Sequence, residues 1–172
     1  MGIEQPARYV GSMLATKTIN PDDFLETQDG RVWTPERNEE AWRLSYAALE
    51  IALECATTPM RVVVVCGIQG AGKSTWIASQ PVSSSTIYFD AALPGIRHRA
   101  KVIAIAKQLG SAVEAVWINT PLDVAMERNS ARTPDKRVPT QAIVAVATQF
   151  EEPTTAEGFD HVSIYGGGHD YQ

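Results

Sequence analysis

The residues best suited to chemistry lie together in one stretch, Gly67-Ile68-Gln69-Gly70-Ala71-Gly72-Lys73-Ser74. Every fixed position of the pattern G-x-x-x-x-G-K-[ST] is present, and glycines in this pattern let backbone N–H groups surround phosphate oxygens. Lys73 can reach the β- and γ-phosphates, and the hydroxyl of Ser74 can ligate magnesium. The stretch therefore predicts binding of a nucleoside triphosphate, ATP, together with Mg²⁺. The residues expected to hold it are Gly67, Gly70, Ala71, Gly72, Lys73, Ser74 and Thr75.

Such a loop needs a strand before it and a helix after it, because these two elements fix the direction of its amides. Four consecutive valines at 62–65 form a β-branched run that is typical of a strand buried on both faces of a parallel sheet. A short helix is expected over 74–79. This context disfavours the alternative of a chance glycine-rich turn.

The rest of the chain alternates between predicted strands and predicted helices. Strands are expected at 86–90, 113–119 and 159–165, and helices at 34–54, 94–109, 121–130 and 140–150. Alternation of this kind predicts an α/β fold with a parallel sheet between two helix layers. The expected fold is a three-layer P-loop NTPase sandwich with an N-terminal helical extension.

Three regions are expected along the chain. Residues 1–60 form an N-terminal arm and helix packed on the core, 61–165 form the core with a lid at about 131–139, and 166–172 form a loose tail. The N-terminal helix carries Trp42, Tyr46, Leu49 and Leu53 on one stripe. Packing of the two aromatic residues against the sheet is favoured over a role in stacking on bases.

The composition excludes several classes of protein. The 172 residues contain no apolar run long enough to span a membrane and no N-terminal pattern of a signal peptide, so a cytoplasmic location is expected. The two cysteines lack metal-type spacing, and Cys66 is expected to be a reduced core thiol. A net charge of −5 argues against indiscriminate binding of nucleic acid, but residues 91–140 carry eight Lys/Arg against four Asp/Glu. A polyanionic substrate would lie near that basic region.

Asp90 and three arginines are candidates for phosphoryl-transfer chemistry. Asp90 ends a predicted strand, where a carboxylate can hold magnesium through water or accept a proton from an attacking hydroxyl; capping of the next helix is the structural alternative. Arg128 and Arg132 lie around the end of a helix, and Arg137 lies in the basic loop that follows. Guanidinium groups there can neutralise a moving phosphoryl group, although arginines also cap helix C-termini.

A second basic group opens the helix after Asp90. Arg97 and Arg99, with His98 and Lys101 beside them, are candidates for a clamp on a substrate phosphate. A solvated basic face is the equally weighted alternative.

The sequence resembles a known family, the P-loop kinases related to the phage polynucleotide 5′-kinase domain, which also includes small AAA-type ATPases regarded as kinases. The resemblance covers roughly residues 61–150 and rests on the phosphate-binding loop with Thr75-Trp76, on Asp90-Ala91-Ala92-Leu93 with Arg97, and on the segment from Glu127 to Pro139. It implies that Arg128 and Arg132, in an arginine-bearing lid, contact the nucleotide phosphates.

One feature of that family is missing. A D-x-x-R element normally lies between the phosphate-binding loop and the second acidic strand, where it supplies a general base and a substrate-binding arginine. Asp90 follows Thr75 by only 15 positions here, so the element is absent from this part of the sequence. Either Asp90 acts as the base, or the N-terminal arm supplies one from Asp22, Asp23 or Asp29.

These observations favour an ATP-dependent phosphotransferase acting on a hydroxyl of nucleic acid. The acceptor is either a 5′-hydroxyl or a hydroxymethyl group on a modified pyrimidine in DNA, as the resemblance implies. A kinase for a small nucleoside-type molecule remains an alternative, and a nucleotide-binding switch or accessory ATPase is an alternative of another class. The sequence predicts neither the oligomeric state nor the preferred nucleotide.

Overall fold

The computed structural model describes residues 17–166, so the predictions for residues 1–16 and 167–172 lie outside the described part of the chain. The strands are β1 (Lys17–Ile19), β2 (Glu26–Thr27), β3 (Gly30–Arg31), β4 (Arg61–Cys66), β5 (Thr86–Asp90), β6 (Ala112–Ile118) and β7 (His161–Tyr165). The α-helices are α1 (Pro35–Glu54), α2 (Lys73–Ala78), α3 (Ile96–Gln108), α4 (Leu122–Ser130) and α5 (Thr140–Thr148).

Five of the strands form one parallel sheet in the order β1-β5-β4-β6-β7, and β2 and β3 form a separate small hairpin. The valines of β4 divide between the two faces of this sheet because successive side chains in a strand point in opposite directions. Val62 and Val64 pack in the cluster that contains α1 and α3, and Val63 and Val65 pack in the cluster that contains α4 and α5. The predicted α/β fold is therefore confirmed, with a helix layer on each face of the sheet.

Helix α1 begins where its sequence predicts. The hydroxyl oxygen of Thr34 accepts a hydrogen bond from the backbone N–H of Arg37 at 3.1 Å, and proline occupies the first turn. The rings of Trp42 and Tyr46 lie 6.3 and 6.0 Å from the ring of Phe89, measured between centroids. The interpretation that these two residues pack against the sheet is thus confirmed.

Strand β1 adds a detail to the prediction of an N-terminal arm packed on the core. It pairs with β5 in parallel, with Lys17 opposite Ile87 and Ile19 opposite Phe89, so residues 17–19 belong to the main sheet. Three residues are too few to show a strand periodicity, which is why the sequence did not indicate a strand here. The sheet edge beside β5 is thus filled from the N-terminal side of the chain and not by a segment inserted after the phosphate-binding loop.

Within residues 17–166, no helix is both long enough and apolar enough to cross a membrane.

Candidate active site

The phosphate-binding loop joins β4 to α2 and contains three glycines with positive φ angles: 150° at Gly67, 85° at Gly70 and 101° at Gly72. Gly70 is constrained most strongly, because a Cβ atom there would lie 2.2 Å from the carbonyl oxygen of Ala125 in α4. Only glycine combines this backbone conformation with so close an approach. The glycines of the motif therefore shape the loop and also let it pack against α4.

Lys73 folds back over the loop. Its Nζ donates hydrogen bonds to the carbonyl oxygens of Gly67 at 3.0 Å and Ile68 at 3.2 Å. Burial lowers the pKa of Lys73, and the negative charge of Asp90 acts in the opposite direction. The ammonium group is thus held at the mouth of the loop, where phosphate oxygens can serve as its partners.

Asp90 connects the loop with the N-terminal segment. Its Oδ2 accepts hydrogen bonds from the hydroxyl of Ser74 at 2.7 Å and from the side-chain amide of Asn20 at 3.3 Å, and the residue is only 2 % exposed. A hydroxyl beside a carboxylate fits Mg²⁺, which commonly takes one or two protein oxygens and completes its shell with phosphates and water. No group of three or more His, Cys, Asp and Glu side chains suited to a metal occurs among the described residues, so a nucleotide would have to supply further ligands.

A cavity of about 510 Å³ opens next to these residues. One wall is the phosphate-binding loop with Lys73, Ser74 and Thr75, and the floor includes Asp90. The lid contributes Arg132 and residues 135–139, and the opposite wall comes from the N-terminal segment and α1. The cavity therefore brings the predicted nucleotide-binding residues and the lid together with a wall that the sequence did not predict.

The lid arginines occupy different positions. Arg132 and Arg137 line the cavity, and the guanidinium group of Arg137 donates to the carbonyl oxygen of Arg132 at 3.0 Å. Arg128 lies beside the loop and not in the cavity wall, with its Nη1 donating to the carbonyl oxygen of Ala71 at 3.1 Å. A contact between Arg128 and nucleotide phosphates stays a prediction.

The assignment of Arg99 to substrate binding is wrong. Its side chain is fully buried, donates to both carboxylate oxygens of Glu157 at 2.8 Å and also donates to the carbonyl oxygen of Leu93 at 3.0 Å. Arg99 therefore joins α3 to the segment that precedes β7, and its guanidinium group does not face a substrate. Arg97 is exposed and lies outside the cavity wall, so its role in binding substrate stays a prediction.

The N-terminal wall supplies acidic residues at the site. Asp22 lines the cavity, and its Oδ2 accepts a hydrogen bond from Arg31 Nη1 at 2.7 Å. Asp23 is exposed, but partial desolvation raises its pKa, with the charges of Asp22 and Asp90 adding to the effect and Arg31 opposing it. Asp29 lies in the exposed turn of the β2–β3 hairpin and is not among the cavity-lining residues.

The lid touches this N-terminal wall. Asp135 Oδ2 accepts a hydrogen bond from the backbone N–H of Arg31 at 3.2 Å, and Lys136 Nζ lies 3.8 Å from a carboxylate oxygen of Glu26. The base of the lid is fixed by Asn129, whose side-chain amide bonds to both the N–H and the C=O of Val138 at 2.9 and 2.8 Å. The lid thus bridges from α4 to the hairpin across the cavity.

Among the polar and aromatic residues of the cavity wall, sequence reasoning missed Asn20, Arg31, Trp33 and Asn38. The run Asn20-Pro21-Asp22-Asp23 has the composition of a turn, and Asn20 caps a 3-10 helix at Pro21–Leu25. The proximity of Asn20 to Asp90 follows from the pairing of β1 with β5, which a single sequence does not reveal.

Comparison with known proteins agrees with this architecture. A family model described as an AAA domain matches residues 83–153, which is less than half of the chain and begins after the phosphate-binding loop. The fold is that of a P-loop nucleotide-binding domain.

Two similar solved structures are the native crystal structure of the AvrRxo1-ORF1:-ORF2 complex and the crystal structure of AvrRxo1-ORF1:AvrRxo1-ORF2 with sulphate ions. Their sequence identities to the chain are 17 % and 16 %, each with a TM-score of 0.42. The alignments cover 66 % and 69 % of this chain and 56 % of the matched chain in both, so the chain spans little more than half the length of those proteins. No curated protein matches the sequence.

Proposed function

We propose that the protein is an ATP-dependent kinase that transfers the γ-phosphoryl group of ATP to a hydroxyl on nucleic acid, either a 5′-hydroxyl or a hydroxymethyl group on a modified pyrimidine in DNA. The observation that carries this proposal is the convergence of Lys73, Asp90, Arg132 and Asp22 on one cavity. A domain that only binds or hydrolyses a nucleotide needs the loop and the magnesium ligands. A kinase must also bind an acceptor, and a second wall with its own carboxylate provides a place for it.

The donor side follows from the P-loop. The loop amides and Lys73 would hold the β- and γ-phosphates, and the Ser74 hydroxyl with the Asp90 carboxylate would hold Mg²⁺. When bound, the ion neutralises part of the phosphate charge. Arg132, which lines the cavity from the lid, stabilises the negative charge on the transferring phosphoryl group.

The acceptor side favours Asp22 as the general base over Asp90. Asp90 Oδ2 already accepts hydrogen bonds from Ser74 and Asn20, and its residue is almost fully buried. The side chain of Asp22 is 51 % exposed, lines the cavity and is oriented by Arg31. The acceptor hydroxyl gives its proton to the Asp22 carboxylate as its oxygen bonds to the γ-phosphorus, while the bond from that phosphorus to the β–γ bridging oxygen breaks and ADP leaves.

A buried polar atom in the loop also supports an acceptor with a hydrogen-bond donor. Gln69 lines the cavity, and its Oε1 is buried without a hydrogen-bond partner among the described residues. Unpaired buried carbonyl oxygens are destabilising, and ionised phosphate oxygens cannot satisfy one because they only accept hydrogen bonds. A hydroxyl or N–H group of the acceptor other than the reacting hydroxyl, or water, can donate to this oxygen.

The experiment that tests the proposal measures transfer of labelled γ-phosphate from ATP to a panel of acceptors: single-stranded DNA, duplex DNA, hydroxymethyluracil-containing DNA, RNA and nucleosides. We expect transfer to at least one nucleic acid, and we expect Lys73→Ala and Arg132→Ala to abolish it. Loss of a transition-state arginine costs about 10³–10⁵-fold in kcat in other phosphoryl-transfer enzymes. Arg43→Ala is a suitable control, because Arg43 is exposed on α1 and pairs only with Glu40 among the described residues.

Two results would contradict this function. ATP hydrolysis that no hydroxyl accelerates would indicate a nucleotide-binding switch or accessory ATPase. Wild-type rates in the Arg132→Ala variant would remove the lid from the mechanism.

A small nucleoside-type acceptor is a second candidate, and the cavity itself favours it. Its volume of about 510 Å³ lies in the range of small-molecule sites. Transfer to a free nucleoside or nucleotide in the same panel, without transfer to any polynucleotide, would establish this alternative.

A further inference from the structure

An unusual aromatic residue lies in the N-terminal wall of the cavity. Trp33 lies between β3 and the N-terminus of α1, lines the cavity and is nevertheless 62 % exposed. The other cavity tryptophan, Trp42, packs against Tyr46 and Phe89, whereas Trp33 makes no ring contact within the described part of the chain. An exposed indole without a packing partner at a cavity mouth provides a large apolar face for a ligand.

The backbone that presents Trp33 is held firmly on both sides. The N–H of Val32 donates to the carbonyl oxygen of Leu25 at 3.0 Å, and the carbonyl oxygen of Val32 accepts from Arg37 Nε at 3.0 Å. Immediately after Trp33, the side chain of Thr34 caps α1. The indole therefore projects from a fixed turn.

A hydrogen-bonding group lies on the same wall. Asn38 lines the cavity one turn into α1, four residues before Trp42 and thus on the same helix face. Its side-chain amide makes no hydrogen bond to any residue in the described range. A side-chain amide can donate and accept at once, as the edge of a nucleobase requires.

The lid adds positive charge to the same cavity. Lys136 and Arg137 line the cavity, and the carboxylate that lies 3.8 Å from Lys136, that of Glu26, also pairs with Arg31 at 2.9 Å. The guanidinium group of Arg137 donates to the carbonyl oxygen of Arg132. An aromatic face, an amide and cationic side chains are the combination that binds a base together with its phosphate.

We propose that Trp33 and Asn38 form the base-binding subsite of the acceptor, in which the indole stacks on a nucleobase and the amide bonds to its edge. The inference rests on the proposed kinase function and names its substrate class as a nucleobase-bearing acceptor. Lys73 and Asp90 mark the γ-phosphate end of the donor, and the N-terminal wall is bonded to that end through Asn20 and Asp90. Trp33 belongs to this N-terminal wall, so we assign the group that it contacts to the acceptor and not to ATP.

The test titrates the ADP-saturated protein, so that the P-loop is already filled. Tryptophan fluorescence measures the quench, and calorimetry measures the affinity in every variant, including those that lack Trp33. The probes are thymidine 3′-monophosphate, an oligodeoxythymidylate with a free 5′-hydroxyl, and glycerol 3-phosphate as a ligand without a base. The variants are Trp33→Ala, Trp33→Phe, Asn38→Ala and, as a matched control, Trp117→Phe, since Trp117 is a stacked core partner of Phe150.

We expect both base-bearing probes to quench the fluorescence of the wild type and of Trp117→Phe. In Trp33→Ala their affinity should fall roughly 5- to 150-fold, the range that corresponds to loss of one base–aromatic stack. Trp33→Phe should keep most of the affinity while losing the quench, and Asn38→Ala should weaken both base-bearing probes but not glycerol 3-phosphate. Tighter binding of the oligomer than of the mononucleotide would assign the subsite to a strand, and equal binding would assign it to a free nucleotide.

Two outcomes would overturn the subsite: equal affinity of the wild type and Trp33→Ala for the base-bearing probes, or a quench by ADP alone that vanishes in Trp33→Phe. The outcome for the kinase is separate. Binding at Trp33 without phosphate transfer to any acceptor would overturn the kinase function and keep the base-binding subsite. Transfer to base-free and base-bearing alcohols at the same KM would keep the kinase function and overturn the subsite.

Discussion

The substitution Asp22→Asn distinguishes the two carboxylates that could act as the general base. It removes a proton acceptor from the cavity wall and keeps nearly the same shape. Because general-base catalysis contributes about 10²–10⁴-fold, we expect kcat for phosphate transfer to fall by that factor. The KM for ATP and the Mg²⁺ requirement should change little, since the hydrogen bonds that position Lys73, Ser74 and Asp90 do not involve this side chain.

Loss of folding cannot produce a decrease of that size. The side chain of Asp22 is 51 % exposed and its ion pair with Arg31 is therefore solvent-screened, so its removal should cost less than about 1 kcal/mol. Glu26→Gln is the matched control, because Glu26 pairs with the same guanidinium group at 2.9 Å and does not line the cavity. This variant should lose a similar amount of stability and keep its kcat.

The assay is initial-rate transfer of labelled phosphate at saturating ATP over a range of pH and Mg²⁺ concentration, with unfolding in urea measured in parallel. Asp22→Asn should lower kcat at every Mg²⁺ concentration. Asp90→Asn should instead raise the Mg²⁺ requirement, because Ser74 loses its carboxylate partner. If Asp22→Asn kept kcat within threefold of the wild type while Asp90→Asn abolished transfer at every Mg²⁺ concentration, Asp90 would be the base and the assignment made here would be refuted.

Three further predictions concern ATP binding, stability and cysteine reactivity, and their tests need no acceptor. Gly70→Ala should lower the affinity for ATP at least tenfold in calorimetry, because its Cβ would meet a carbonyl of α4, whereas Gly110→Ala, which also has a positive φ but nothing within 4 Å, should bind ATP normally. Arg99→Met and Glu157→Gln should each lower the free energy of unfolding by about 3–5 kcal/mol in urea titrations, since each leaves a buried charge or polar group unpaired, and costs below about 1 kcal/mol would contradict the buried pair. Burial raises the pKa of the Cys66 thiol to about 12, so a thiol reagent at pH 8 should label only the exposed cysteine until the protein is unfolded, and rapid labelling of both would show an open core.

The donor half of the site could be predicted from the sequence because its signals are local. The valine run of β4, the glycines of the loop and Lys73 are adjacent in the chain, and each reports its own conformation or chemistry. Asp90 was predicted at the end of β5, and the structure places it there, bonded to Ser74. Neighbouring parallel strands bring such strand ends together without any further information.

Arg99 shows where local reasoning fails. A basic residue near a helix N-terminus predicts a phosphate clamp, but its actual partner, Glu157, lies 58 positions away in the chain. The sequence contains no signal for that pairing. A buried arginine is rare enough that an exposed or ligand-binding position is the natural expectation, and only the fold reveals the carboxylate that compensates its charge.

The acceptor half depends on a single long-range event, the pairing of β1 with β5. This pairing places Asn20 against Asp90 and carries the following turn, with Asp22, to the edge of the cavity. Asp22, the proposed general base, would thus take the place of the acidic residue that the sequence lacks after the phosphate-binding loop, although it precedes that loop in the chain. Since the donor half comes from residues beyond 60 and the opposite wall from residues 20–42, substitutions in the N-terminal wall should change the choice of acceptor with little effect on ATP binding. The hydrogen bond between Asp135 of the lid and the backbone N–H of Arg31 is the exception, because it joins the lid directly to the N-terminal wall. Substitutions that move this wall would therefore also change the position of the lid.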